Sequence, residues 1–181
     1  MTVTTWRYYL PNDERLEGWA IVFLDSTGCF TTVSDWGNYG YRWDNPGSSV
    51  NLDVREWLIA RGDDYLLSKL APEEIYDGPA TRKGVEDYLA KQLLEHRATP
   101  SWAEDERAAL QEYEIQNGVE EFWRWVGGTS LVDAHECMRT QPRPQAVQFI
   151  KRVMPRLRNL IREELRTETE RAMFAAGVGS T

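Results

Sequence analysis

Apolar residues alternate with a period of two near the N-terminus and recur every three or four positions further on. The chain therefore divides into a strand-forming part and a helix-forming part. Between residues 5 and 44, short apolar runs are separated by turn residues, which predicts an antiparallel meander of three to four strands. In the strongest of these, Trp19, Ile21 and Phe23 alternate with Ala20, Val22 and Leu24. Both of its faces are apolar, so it is expected to be a central strand covered on each side. Asp25-Ser26-Thr27-Gly28 supplies hairpin chemistry, because Gly28 accepts a positive φ and Asp25 and Ser26 bond local backbone. Residues 29–34 then return as the next strand. After a break at Asp35-Trp36-Gly37-Asn38, Tyr39, Tyr41 and Trp43 fall on one side and Gly40 and Arg42 on the other.

The run Asn45-Pro46-Gly47-Ser48-Ser49 predicts a loop, beyond which the spacing becomes helical. Asp53 with Glu56 reads as a capping box opening a helix that turns Val54, Trp57 and Leu58 inward and ends by Gly62. A short helix over 64–70 follows, then one from Thr81 with Val85, Tyr88, Leu89, Gln92 and Leu93 on a single stripe. Ser101 with Glu104 repeats the capping signature for a helix running to Gln116, and residues 119–126 form a short aromatic helix. Residues 129–138 fit either a helix or irregular structure. After Pro142-Arg143-Pro144, apolar residues at Val147, Ile150, Met154, Leu157, Ile161 and Leu165 mark the longest helical stripe. Pro155 within it predicts a kink or a second helix starting there, and residues 175–181 are expected to fray. The fold class is α+β: an N-terminal meander followed by a helical C-terminal portion. It is expected as one domain over 1–181, with strands in 1–50, helices in 51–138 and a basic helical segment in 139–175.

At 181 residues the chain is long enough to bury a core without disulfides, and its two cysteines, Cys29 and Cys137, form no CxxC pair. No secretory leader is recognised, and the longest apolar run is far too short to cross a bilayer. The expectation is a cytoplasmic protein without a membrane partner. The formal charge of -8 conceals an asymmetry: residues 139–171 hold nine basic and four acidic side chains, a net +5, against -13 for the remainder. Such separation biases which partners approach which surface.

Two groups of residues are candidates for binding. Asp35, Trp36, Asn38, Tyr39, Tyr41 and Arg42 combine aromatic faces with charge and could stack a base, sugar or peptide; the alternative is a turn whose aromatics pack under the helices. Arg152, Arg156, Arg158 and Arg162 flank the C-terminal apolar stripe and could grip phosphates. Alternatively the helix docks on the acidic body, or its stripe pairs with a second copy in a homodimer. Asp133, His135 and Cys137 are metal-ligand types at alternate positions but lack a fourth ligand, so no metal site is assigned. No HExxH, nucleophile elbow or phosphate-cradling glycine loop is present; no catalytic residue or cofactor is assigned, and an enzyme is disfavoured.

Leu24-Asp25, Gly28, Phe30, Ser34-Asp35-Trp36-Gly37-Asn38-Tyr39 and Tyr41-Arg42-Trp43 lead into Asp53-Val54-Arg55-Glu56-Trp57-Leu58 and Asp64-Tyr65-Leu66-Leu67-Ser68-Lys69-Leu70. On these residues the stretch 19–70 resembles a family of small proteins encoded by bacteriophages and prophages. The resemblance implies a phage setting, the host cytoplasm and a host protein complex as partner, including defence complexes with basic channels. It implies no catalytic residue. The leading expectation is a non-enzymatic accessory protein whose acidic body occupies a basic host surface. The alternatives are a nucleic-acid-binding protein using the C-terminal arginines and a small-molecule or nucleotide enzyme at the turn 35–43.

Overall fold

In the computed structural model, which describes residues 2–44, 46 and 53–177, the meander has four strands. They are β1 (Thr5–Leu10), β2 (Ala20–Asp25), β3 (Cys29–Ser34) and β4 (Gly37–Arg42), antiparallel in the order β1-β2-β3-β4. The expected loop at 45–49, apart from Pro46, and the tail beyond 177 lie outside the described residues. The β2–β3 turn forms as its residues require: Gly28 has φ 89°, and the Asp25 carboxylate accepts from the backbone N–H groups of Thr27 and Cys29 and from the Thr27 hydroxyl.

The chain packs as two compact units. One joins residues 1–72 with residues 142–181; the other is the intervening stretch 73–141. In the first unit, period-two alternation sends Tyr8, Leu10, Ala20, Val22, Leu24 and Phe30 to one face of the sheet, where all are buried. Five helical segments of this unit complete it: α1 (Val54–Ile59), α2 (Asp63–Leu70), and after Pro142 the continuous run of α6 (Pro144–Gln148), a π-helical turn (Phe149–Val153) and α7 (Met154–Ala175). Phe149, Ile150, Val153, Met154, Leu157 and Ile161 join the sheet residues in one apolar core. Each such side chain contributes about 1.5–3 kcal/mol of transfer free energy. The apolar stripe is thus covered by the chain's own sheet. Pro155 lies in the first turn of α7, as its spacing predicts, and the chain widens into the π-helical turn just before this residue with no N–H to donate.

One expectation for the sheet is corrected. Strand β2 is central, paired with β1 and β3, but among the described residues only one of its faces is covered. Phe23 is 41% exposed, Val33 48% and Tyr9 55%, and these residues share the open face with the half-buried Ile21. Apolar alternation on both sides of a strand identifies a central position without revealing whether a second layer exists.

The second unit is helical, with α3 (Gly78–Leu94), α4 (Pro100–Glu112) and α5 (Val119–Gly128) around a core of Val85, Leu89, Leu110, Ile115, Phe122, Trp125 and Leu131. Its first and last residues contribute short paired strands, β5 (Glu74–Tyr76) and β6 (Thr140–Pro142). Helix α4 is capped by Thr99, whose hydroxyl accepts from the Trp102 N–H, with Pro100 in the first turn; the expected cap at Ser101 lies inside the helix. The ambiguous stretch 129–138 is mostly irregular, with a single 3₁₀ turn over Ala134–Cys137.

Candidate functional site

The turn at 35–43 is built by local polar chemistry. Asp35 and Trp36 occupy the tip between Ser34 and Gly37, and Gly37 adopts φ 110°. The Ser34 hydroxyl donates to the Gly37 carbonyl, and the Tyr39 hydroxyl donates to the Trp36 carbonyl. The Asp35 carboxylate accepts from the Trp19 N–H at 3.0 Å, fastening the tip to the start of β2. The pleat of β4 then separates the candidate binding residues. Trp36, Tyr39 and Tyr41 pack against the helix-covered core, with Tyr39 4.7 Å from the Phe149 ring and Tyr41 5.0 Å from Trp43. Asn38 and Arg42 stand exposed on the other face. The six residues do not converge on one surface, and burial pushes the Tyr39 hydroxyl pKa upward.

The four arginines of the C-terminal stripe are also placed individually. Arg152 pairs with Asp13 at 3.5 Å and Glu17 at 3.9 Å. The Arg156 guanidinium donates to the carbonyls of Gly18 and Pro11. Arg158, with a side chain only 13% exposed, donates to Asp63 and to the Arg61 carbonyl, both at 2.7 Å. Three of the four therefore clamp the β1–β2 connection and the α1–α2 junction onto the π turn and α7. Arg162 remains exposed and donates to Asn159. A stripe of this kind reads in sequence as a phosphate grip, because its carboxylate and carbonyl partners lie more than 90 positions away.

Sequence spacing also missed Arg55. It lies 4% exposed in the first turn of α1, with its guanidinium 2.9 Å from Asp53, 2.8 Å from Glu168 and 3.4 Å from Glu164. It also sits 4.5 Å from the centre of the Trp6 ring, and Tyr8 donates its hydroxyl to Glu164 at 2.6 Å. Burial first, and then this bond to a carboxylate, push the Tyr8 phenol pKa well up. The cluster ties β1, α1 and α7 together. Every member has a partner, so it fits a structural joint better than a reactive centre.

Among the described residues no cluster of three or more His, Cys, Asp and Glu side chains converges as a metal would require. Asp133 and His135 are exposed while Cys137 is buried, and burial pushes its thiol pKa up. Among the described residues no helix is long and apolar enough to cross a membrane.

Residues 1–163, spanning both units, match a family described as a phage family. The chain belongs to this phage family. The match extends well beyond the stretch 19–70 that carries the resemblance in sequence. No curated protein and no solved structure matches the chain.

The remaining surface of the phage protein is divided by charge along the unit boundary. The second unit holds fifteen acidic and seven basic residues, whereas the first holds fourteen of each. The whole net charge of -8 therefore belongs to the second unit. On α4, the exposed Glu104, Asp105 and Glu112 share the solvent side and take part in no ion pair among the described residues. Arg107, the one basic residue of that helix, is drawn aside to Glu86 at 3.2 Å. The same unit exposes Trp123, at 48%, and Val119, at 41%, on α5.

Proposed function

We propose that this phage protein is a non-enzymatic accessory protein that binds a host macromolecular complex, and that it inhibits a host defence complex by covering a basic surface with its acidic unit. The observation that carries this reading is the location of the whole net charge in residues 73–141, with the solvent side of α4 bearing three unpaired carboxylates. A one-signed surface raises encounter rates with a surface of opposite sign and suppresses other partners. Exposed Trp123 adds a residue type enriched at binding hot spots. The placement of the arginines weighs against the alternative of nucleic-acid binding through the C-terminal helices, since Arg152, Arg156 and Arg158 already hold protein carboxylates and carbonyls.

The test is affinity capture from host lysate with the wild type and with a Glu104→Lys/Asp105→Lys/Glu112→Lys variant, each at low and high salt. The expected result is a basic, nucleic-acid-binding complex that copurifies with the wild type at low salt, weakens at high salt and is lost with the variant. Equal recovery by both proteins, or a salt-independent partner, refutes the assignment.

A further inference from the structure

The second unit contains a cleft of about 430 Å³ that the acidic-surface reading does not use. It is walled by the aromatic residues Tyr88 and Trp102 and by Leu131 and Val132, with Gln92, Arg97, Thr99 and Ser130 as its polar groups. That volume lies in the lower part of the range for small-molecule pockets, which combine apolar walls with a few convergent polar groups.

One wall is held from behind by a buried carboxylate. Glu106 is 7% exposed and accepts from the Thr129 hydroxyl at 2.6 Å, the Ser130 hydroxyl at 2.7 Å and the Ser130 N–H at 3.1 Å. Ser130 in turn accepts from the Trp102 indole N–H at 2.7 Å. The carboxylate thus fixes both the 129–131 segment and the Trp102 ring, so the wall exists before any ligand arrives.

The groups left over have a definite chemistry. The rings of Tyr88 and Trp102 stack on no other aromatic ring among the described residues, and the Gln92 side-chain amide has no hydrogen-bond partner among them. An amide offers two donors and an acceptor, the complement of a base edge. Arg97 is held by Glu95 at 3.2 Å, with its side chain 67% exposed. Such an exposed pair is weak enough for a phosphate to replace the carboxylate. No carboxylate is among the lining residues; Glu95 is paired to Arg97, and the oxygens of Glu106 are taken up by Thr129 and Ser130, while acidic groups beyond about 8 Å are screened at physiological salt.

We infer that this cleft binds a mononucleotide, with the base between Tyr88 and Trp102, its edge read by Gln92 and its phosphate paired to Arg97. This site is distinct from the aromatic turn at 35–43.

The experiment is a two-dimensional ¹H–¹⁵N NMR titration of the full chain with AMP, GMP, CMP and UMP, with phenyl phosphate and inorganic phosphate as controls. The Trp102 indole signal is assigned with a Trp102→Phe variant. The expected result is a saturable shift of that signal with at least one nucleotide at submillimolar concentration. Arg97→Ala weakens the binding about tenfold, and Gln92→Ala weakens it less and changes the preference among bases. Neither substitution touches the buried core, so an unchanged spectrum elsewhere certifies the fold. No shift with any nucleotide at millimolar concentration, equal affinity for phenyl phosphate, or undiminished binding by both variants overturns the inference.

Discussion

Replacing Arg55 with Met tests whether the joint between β1, α1 and α7 holds the first unit together. Met keeps much of the aliphatic stem while removing the guanidinium, so the change isolates the polar contacts. Removing one partner of a buried ion pair costs roughly 3–5 kcal/mol when the other charge is left unpaired. Here the carboxylates of Asp53, Glu164 and Glu168 retain 30%, 36% and 46% of their side-chain exposure and rehydrate, which places the loss at the lower end. With the contact to Trp6 included, a cost of about 3 kcal/mol is expected, or a melting-temperature drop of roughly 10 °C for a unit of this size. Thermal unfolding followed by near-ultraviolet circular dichroism reads it, with Arg166→Met as control. Among the described residues Arg166 pairs with the exposed Glu163 and Glu170, so that change is expected to leave the melting temperature level. Acid separates the two further. The Arg55 hydrogen bond holds the Glu168 carboxyl below its usual pKa; burial raises that of Asp53, but bonds from Arg55 outweigh it and keep it low. A carboxyl depressed by folding stabilises above its unfolded pKa, near 4, and loses that contribution as pH falls through the folded value. The gap between wild type and Arg55→Met therefore closes below about pH 4. A variant that melts with the wild type at pH 7, or a gap that widens in acid, refutes the reasoning.

Leu157→Glu places a charge at a fully buried position of α7, and the first unit is expected to lose its cooperative melt, read by circular dichroism. Phe23→Thr with Val33→Thr on the open sheet face is expected to change stability by less than about 1 kcal/mol in urea titration, since both residues already stand more than 40% exposed. His96→Gly should raise stability by roughly 1 kcal/mol, because His96 follows α3 at φ 54°, where glycine carries no Cβ penalty; a melting temperature that stays level counts against this.

The meander and its turns were legible because strand alternation and turn chemistry act within a few residues: Gly28 takes its positive φ and Tyr39, Tyr41 and Trp43 share a side. The helices were legible for the same reason, down to Pro155 in the first turn of α7. What escaped depends on distant partners. Whether the Ile21 and Phe23 face of β2 is covered is decided by the absence of a second layer over it among the described residues. The short strands β5 and β6 carry too little pattern to be read, and Thr99 outcompeted Ser101 as a cap because Pro100 suits the first helical turn. The arginine stripe was visible as charge, but Asp13, Gly18 and Asp63, which give it its role, are far off in the chain. Arg55 carried no signal, since a lone arginine in a first helical turn looks like solvated surface.

The interruption of the first unit by residues 73–141 has a consequence for synthesis. On the ribosome the sheet is complete once Arg42 has been made and α1 and α2 follow soon after, yet Met154, Leu157 and Ile161, which complete its core, lie more than a hundred residues later. At about 5–20 residues per second, the apolar side of the sheet waits roughly 6–24 seconds for the rest of its cover. In that interval the whole of residues 73–141 emerges and is free to fold. The acidic unit is therefore finished first, and it keeps a strongly charged body attached to the nascent chain while the incompletely covered sheet is most prone to aggregate.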